Sequence, residues 1–480
     1  MKNIRSSCEA AQPTRSGGAI PAASARLRGF ARADDGSMTY MAVFLSILML
    51  IFGGIGIDLM YAELQRNKIQ NTLDRAVLAA ADLDNTLDAT AVVQDYMEKM
   101  GVGDTLLRID AQSDLTSKTV LGEAYKSMPS NFAEIITPIK ALQAYGLAKA
   151  EERYNKVEIS LVLDVSGSMD DDDKMSSMQD AAAAFVDTVL AEGALDYTSV
   201  NLVPYSEHVN AGPEILSYMN VDWKHGYSHC LEMPNSFFDD AALNMTYRYD
   251  QMQHFQWNFD GRNNRLTDTI CPRYSYERIR PWSNDADDLK SRIYQLEPRA
   301  GTSIFMGMKW GTALLDPSTQ GIASGMVADA NVAPNFDGRP AEYNDGETVK
   351  TIVLMTDGQH DRSYRIQDWA YNSDAEYAHW ERYNLWYYLN KSVRSSSWSS
   401  FYTQKYDATT GDTLLGNICD AAKRQGIVIW AVGFEVQDHG AEVMKDCASS
   451  SSHFYRVDRA EILATFKTIA GSINQLKLVQ

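Results

Sequence analysis

The chain has 480 residues and a formal net charge of −19, with 45% hydrophobic, 22% charged and 10% aromatic residues. That apolar content excludes a disordered chain, and the length predicts roughly two to three domains. The acidic balance excludes nucleic acid as the main partner, because binding a polyanion requires clustered Lys and Arg.

The charge is unevenly placed. Residues 1–37 carry six basic groups (Lys2, Arg5, Arg15, Arg26, Arg28, Arg32) against three acidic ones (Glu9, Asp34, Asp35), which leaves +3 there and −22 in the rest. Met41 to Ile57 then reads MAVFLSILMLIFGGIGI, 17 residues without a charge, inside an apolar stretch from Met38 to Tyr61 interrupted by Asp58. A spanning helix needs about 20 such residues. A secretory signal would place a shorter apolar stretch nearer the start and follow it with a small-residue cleavage site, so a retained anchor over 38–61 is expected. The positive-inside rule holds Arg26, Arg28 and Arg32 in the cytoplasm and puts the acidic bulk on the far side, periplasmic or surface-exposed. Cys8 falls on the basic side; Cys230, Cys271, Cys419 and Cys447 fall in the exported part. An oxidising compartment allows two disulfides there in three pairings. Local spacing favours Cys230–Cys271 and Cys419–Cys447, with four buried thiols as the alternative.

Beyond the span, Leu59, Ala62, Leu64, Ile69, Leu73, Val77 and Ala80 alternate with Glu63, Arg66, Lys68 and Asp74, which predicts that the helix continues as an amphipathic stalk. The basic leader, Gly36, the single hydrophobic helix and the run LQRNKIQNTLDRAVLAAA resemble the N-terminal region of TadG-like proteins of the Flp (tight-adherence) pilus-assembly system. The resemblance covers about residues 30–85. Tyr40 and Met41 stand where pilins processed by prepilin peptidase carry a Glu, so cleavage after Gly36 is not expected.

Three later segments end in short oxygen-bearing side chains. VEISLVLDV, from Val157, is a continuous apolar β-type run that reaches Asp164 and is followed by Ser166, Gly167 and Ser168, then by a helix-like run from Lys174 to Leu190. Arg299 to Phe305 is a loop with Gly301 and Thr302 leading into a helix over 306–315. TVKTIVLM, Thr348 to Met355, is a second buried strand that ends in Thr356, Asp357 and Gly358. Strands ending this way place oxygen ligands in the crevice where open α/β sheets bind them. Strand–DxSxS, loop–GT and strand–TDG in that order resemble von Willebrand factor type A (VWA) domains over about 155–470. The resemblance implies a metal-ion-dependent adhesion site (MIDAS) of Asp164, Ser166, Ser168, Thr302 and Asp357, with a partner's carboxylate as the outside ligand. Hard oxygen donors without Cys or His suit Mg²⁺ or Mn²⁺. Asp170 to Asp173 follow directly. They favour the N-terminus of the helix at Lys174 through its dipole; the sharper reading is a second, Ca²⁺-type site using Asp171 and Asp172, whose spacing matches integrin-type domains.

Further strands are expected over 198–205 and 427–434, and further helices over 285–296, 411–425, 439–448 and 459–476. This alternation implies a doubly wound, mostly parallel α/β sheet of VWA (Rossmann-like) type with helices on both faces. The expected organisation is a leader over 1–37, a span over 38–61, a helical stalk with a small pilin-like α/β region over 62–152, and a VWA domain over 153–480. Two aromatic-rich insertions interrupt that domain at about 210–283 and 359–410. Tyr218 to Trp282 holds 13 aromatics in 65 residues and Tyr364 to Tyr402 holds 12 in 39, which reads either as an accessory core or as a partner-binding surface. His225 and His229 are four apart, but no second ligand pair accompanies them and Gly226 weakens a helix there, so zinc is not expected.

The sequence thus reads as a non-enzymatic, membrane-anchored protein that binds a protein partner through a divalent cation. A metal-assisted hydrolase with His360 as base and a structural pilus component with a vestigial metal site are the alternatives.

Overall fold

The computed structural model describes residues 37–82, 87–113, 117–135, 138–154, 156–191, 195–257, 261–475 and 478–479. The basic leader, with Cys8, Arg26, Arg28, Arg32 and Gly36, lies outside them. The chain divides into two units, 1–113 with 118–151 and 114–117 with 152–480.

In the first unit, Ser37–Ala81 is one unbroken 45-residue helix, α1, that is long and apolar enough to cross a membrane. Its first half is exposed and apolar, as a lipid-facing helix must be. Its second half buries Ile69, Leu73, Ala76, Val77 and Ala80 against α2 (Ala89–Lys99) and the strands β1 (Leu106–Ser113), β2 (Ser117–Pro129) and β3 (Ala141–Tyr154). β1 runs antiparallel to β2, and β3 follows on the other side of β2. The apolar stripe is narrower than the periodicity suggests: Leu59 and Leu64 point outward. Gln70 clamps β3, donating to the Leu147 carbonyl at 2.9 Å and accepting from its N–H at 3.1 Å.

The second unit is built on a six-stranded sheet. In chain order its strands are β4 (Lys156–Asp164), β5 (Thr198–Tyr205), β6 (Arg280–Ser283), β7 (Thr348–Thr356), β10 (Val428–Phe434) and β11 (Phe454–Val457); β8 (Ser363–Ile366) and β9 (Tyr402–Tyr406) form a separate hairpin-like pair. The spatial order is β11-β10-β7-β4-β5-β6, parallel throughout except for the edge strand β6. β4 and β7 are buried on both faces, which their Val, Ile and Leu content dictates. Successive residues point to opposite faces. Val162, Val203, Ile352 and Leu354 therefore meet α5 (Ile304–Ala313) and α9 (Ala408–Arg424), while Ile159, Leu161, Leu163 and Val353 meet α3 (Lys174–Val189), α4 (Ala286–Ile293) and α11 (Ile462–Gln475). The strands and helices expected from the sequence are present, with their ends displaced by a few residues.

Both disulfides pair as local spacing favours. Cys230–Cys271 closes a 41-residue separation, and Cys419–Cys447 ties α9 to α10 (Asp438–Cys447). The two insertions fold together. Met252, Phe255, Trp257 and Ile270 of the first pack on Ile366, Tyr371, Trp380 and Leu389 of the second in one apolar cluster that includes the Cys230–Cys271 bridge. α7 (Asp374–Arg382) and α8 (Leu385–Ser392) cover it.

α5 approaches the sheet closely because Gly307 has no side chain: a Cβ there would lie 2.5 Å from the Tyr205 ring. Gly416, exposed on α9, has nothing within 4 Å. The two positions should respond oppositely to Ala. Gly416→Ala is expected to stabilise the fold by about 0.5–1 kcal/mol through helix propensity, and Gly307→Ala to destabilise it by about 1–3 kcal/mol through overpacking. Denaturant melts of the two variants check the signs.

Candidate functional site

Neighbouring strands β4 and β7 run parallel in register, Leu163 opposite Met355, and both end at the same edge of the sheet. The chain leaves β4 toward β5 on one side, and leaves β7 toward β10 on the other. Their C-terminal ends therefore flank a topological switch point, where open α/β sheets form a crevice. Asp164 terminates β4 and Asp357 follows β7.

The loops are joined by main-chain bonds. Gly167 N donates to Ala300 O (2.9 Å), Arg299 N to Val165 O (2.8 Å), Ser303 N to Ser206 O (2.8 Å) and Asp361 N to Thr302 O (2.9 Å). The expected ligand residues form a connected set on this frame. Ser166 N donates to Asp164 Oδ1 (2.8 Å), the Ser166 and Ser168 hydroxyls are 3.1 Å apart, and Ser168 Oγ donates to Asp357 Oδ1 (2.6 Å). Thr302 is buried on the adjoining loop, its N–H donating to Asp361 Oδ2 at 3.2 Å. Asp164 and Asp357 are 0% and 6% exposed.

Three residues outside the expected ligand set also reach the carboxylates. Thr356 Oγ1 donates to Asp164 Oδ2 (2.6 Å), so the residue before Asp357 holds the other carboxylate. Tyr205, at the end of β5, donates to Met355 O (2.9 Å) and lies 3.4 Å from Asp164 Oδ2. Lys174 Nζ donates to Asp357 Oδ2 (2.9 Å), an ion pair with 13% and 0% of the side chains exposed. Lys174 is the first cation after four consecutive acids, the one sequence signal that marks it. Burial first, and then the Asp357 charge, push the Asp164 carboxyl well above the carboxylate range.

Of the two buried carboxylates only Asp357 meets an ammonium; a hard divalent cation would neutralise the other when it is ionised, and the hydroxyl oxygens beside them are donors of the right class. The set fits such a cation. Among the described residues no group of three or more His, Cys, Asp and Glu side chains is placed to hold a metal ion. Asp171 and Asp172 are exposed, and the Asp172 carboxylate lies 3.9 Å from the Arg459 guanidinium rather than beside a third acid. The acid run does lie at the start of α3, where the dipole favours it, with Asp173 at the N-cap position at φ 62° and without a side-chain capping bond.

His360 is fully engaged, with Nδ1 on Asp412 Oδ1 (2.9 Å) and Nε2 accepting from Phe305 N (3.3 Å), and burial pushes its pKa down. His225 bonds Met252 O, and Tyr227 N and Gln251 approach its Nδ1; His229 packs on Trp223. A cleft of about 570 Å³ opens beside these loops, lined by Gly167, Ala300 and Gly301 and by Trp257, Asp361 and Tyr364 of the insertions. Beneath it Glu207 accepts from Trp257 Nε1 (2.9 Å) and Ser363 Oγ (2.7 Å), and burial raises its pKa to about 7.

Residues 36–91 match the Tad family model, Flp pilus-assembly TadE/G-like. No curated protein is similar enough in sequence to match the chain. Among solved structures, the vWF domain of the type V pili tip protein Mfa5 from Porphyromonas gingivalis is similar at 15% identity and TM-score 0.36, covering 68% of this chain and 98% of that one. The pilus adhesin SpaC from Lactobacillus rhamnosus GG is similar at 13% and 0.33, covering 77% of this chain and 34% of that one. Proximal thread matrix protein 1 from the mussel byssus, with a zinc-occupied MIDAS motif, is similar at 13% and 0.30, covering 66% and 48%. The fold is mixed α/β, with a parallel-rich central sheet and one long apolar N-terminal helix.

A raised Asp164 pKa means that without a cation its contribution to stability is present below the unfolded value of about 3.8 and is lost as pH rises through the folded one. A bound cation holds the carboxylate form and removes that loss. Added Mg²⁺ should therefore raise the melting temperature more at pH 7.5 than at pH 5, and Asp164→Ala should abolish the difference; scanning calorimetry at the two pH values measures it.

Proposed function

We propose that the chain is a non-enzymatic, single-pass bacterial inner-membrane protein. Its N-terminus is cytoplasmic and its bulk periplasmic or surface-exposed. Through Asp164, Ser166, Ser168, Thr302 and Asp357 it holds Mg²⁺ or Mn²⁺, and through that ion a carboxylate of a protein partner, in Flp/Tad pilus assembly or surface adhesion. The observation that carries this reading is the pair of buried aspartates joined through two serine hydroxyls at the switch point, in a chain whose first helix matches a pilus-assembly family. When bound, the cation would supply a positive centre of fixed position for an incoming carboxylate. The chain's own part is to orient the oxygens: Thr356 and the Ser166 N–H fix Asp164, and Ser168 fixes Asp357. The cleft lined by Trp257 and Tyr364 offers rigid aromatic surface beside that centre, of the kind enriched at binding hot spots. A hydrolase is disfavoured because neither His360 nitrogen is available as a base.

Lys174 favours one second reading, a structural pilus component whose ammonium does a metal's work permanently. The two readings predict opposite behaviour for Lys174→Met. If the ammonium only competes with a cation, the variant should bind Mn²⁺ several-fold more tightly by paramagnetic resonance titration. If it replaces one, the variant should lose stability whether or not metal is added. In cells, Asp357→Ala is expected to abolish pilus-dependent surface adhesion while the chain stays membrane-bound; undiminished adhesion would sink the cation-capture reading.

A further inference from the structure

The turn after β2 grips α1 within its apolar run. Asp58 Oδ2 accepts from Phe132 N (2.7 Å), Ala133 N (3.0 Å) and Ser130 Oγ (3.1 Å), and Ser130 N donates to Lys140 O (3.0 Å) at the base of the segment. One helical turn earlier, the Phe132 ring fills the space left by Gly54, where a Cβ would lie 2.3 Å from it. Met38 to Ile57 supplies twenty residues without a charge, about the number a 30 Å hydrocarbon core requires. At about 1.5 Å per residue, Gly54 lies roughly 6 Å deeper than Asp58. A ring seated on Gly54 is then below the level at which the helix leaves the apolar layer.

We infer that the turn Ser130–Ile135 is seated in the membrane interface of the leaflet from which α1 emerges, with Phe132 and Ile135 in contact with lipid. This rests on the reading of α1 as a membrane span. Irregular backbone enters an apolar layer only if its polar groups are satisfied internally. The N–H groups of four successive turn residues meet that condition: besides the two on Asp58, Glu134 N donates to Ser130 Oγ (3.2 Å) and Ile135 N to Phe132 O (3.2 Å). Phe132, Ile135 and Ile139, all apolar, are 38%, 63% and 46% exposed. The exposed Glu134 and Lys140 limit the depth to the headgroup level. A cavity of about 530 Å³ between Tyr61 and Lys126 opens at the same junction, with the aromatic and cationic groups that anchor proteins at that depth.

The test uses the full chain in a Cys8→Ser background, reconstituted in phosphatidylcholine–phosphatidylglycerol vesicles, with an environment-sensitive fluorophore on single cysteines. Ile135→Cys and Ile139→Cys report the turn. Leu50→Cys reports the span, and Leu107→Cys, exposed on β1, reports water. Nitroxide lipids are expected to quench the two turn probes about threefold or more over the Leu107 probe, as for an interfacially seated segment. Quenching at Leu50 with none above the Leu107 level in the turn would overturn the inference and leave the span standing. No quenching at Leu50 either would remove the span, and the inference with it.

Discussion

Two carboxylates held out of water at adjacent strand ends cannot both stay charged without a positive partner, and the architecture of the second unit is organised around meeting that requirement. Parallel pairing of β4 with β7 fixes Asp164 and Asp357 side by side. Three species can then satisfy them: a proton, which Asp164 takes up readily because it is buried; the Lys174 ammonium, already on Asp357; and a divalent ion. On the proposed reading, competition among these three would make the site responsive to pH and metal concentration at once. The hydroxyls of Ser166, Ser168 and Thr356 are neutral, so they set geometry without altering that charge count.

The insertions add what a bare sheet edge lacks. Together they make one core closed by Cys230–Cys271 and set Trp257 and Tyr364 at the rim of the cleft. Accessory core and candidate contact surface are therefore the same aromatic-rich segments seen from inside and outside.

Much of this was legible in the residues. Runs such as VEISLVLDV and TVKTIVLM declare buried strands because hydrophobicity on both faces has one structural outcome, and the motif oxygens fall at strand ends because a short polar residue after such a run must lie at the edge of the sheet. What stayed hidden depends on contacts distant in the chain. The Lys174–Asp357 pair spans 183 positions and the Thr302–Asp361 contact 59, and neither has a local pattern. The co-folding of the insertions is hidden for the same reason.

α1 has a mechanical consequence. It extends about 68 Å without a break, and its second half is the core of the first unit rather than a tether to it. Gln70 and Asp58 pin it to β3 and to the turn after β2 at separate heights. The unit therefore has no swivel at its base: on the proposed reading of α1 as a membrane span, any tilt of the helix in the bilayer becomes a tilt of the whole unit, and tension on the unit is passed to the lipid along a continuous column of backbone hydrogen bonds.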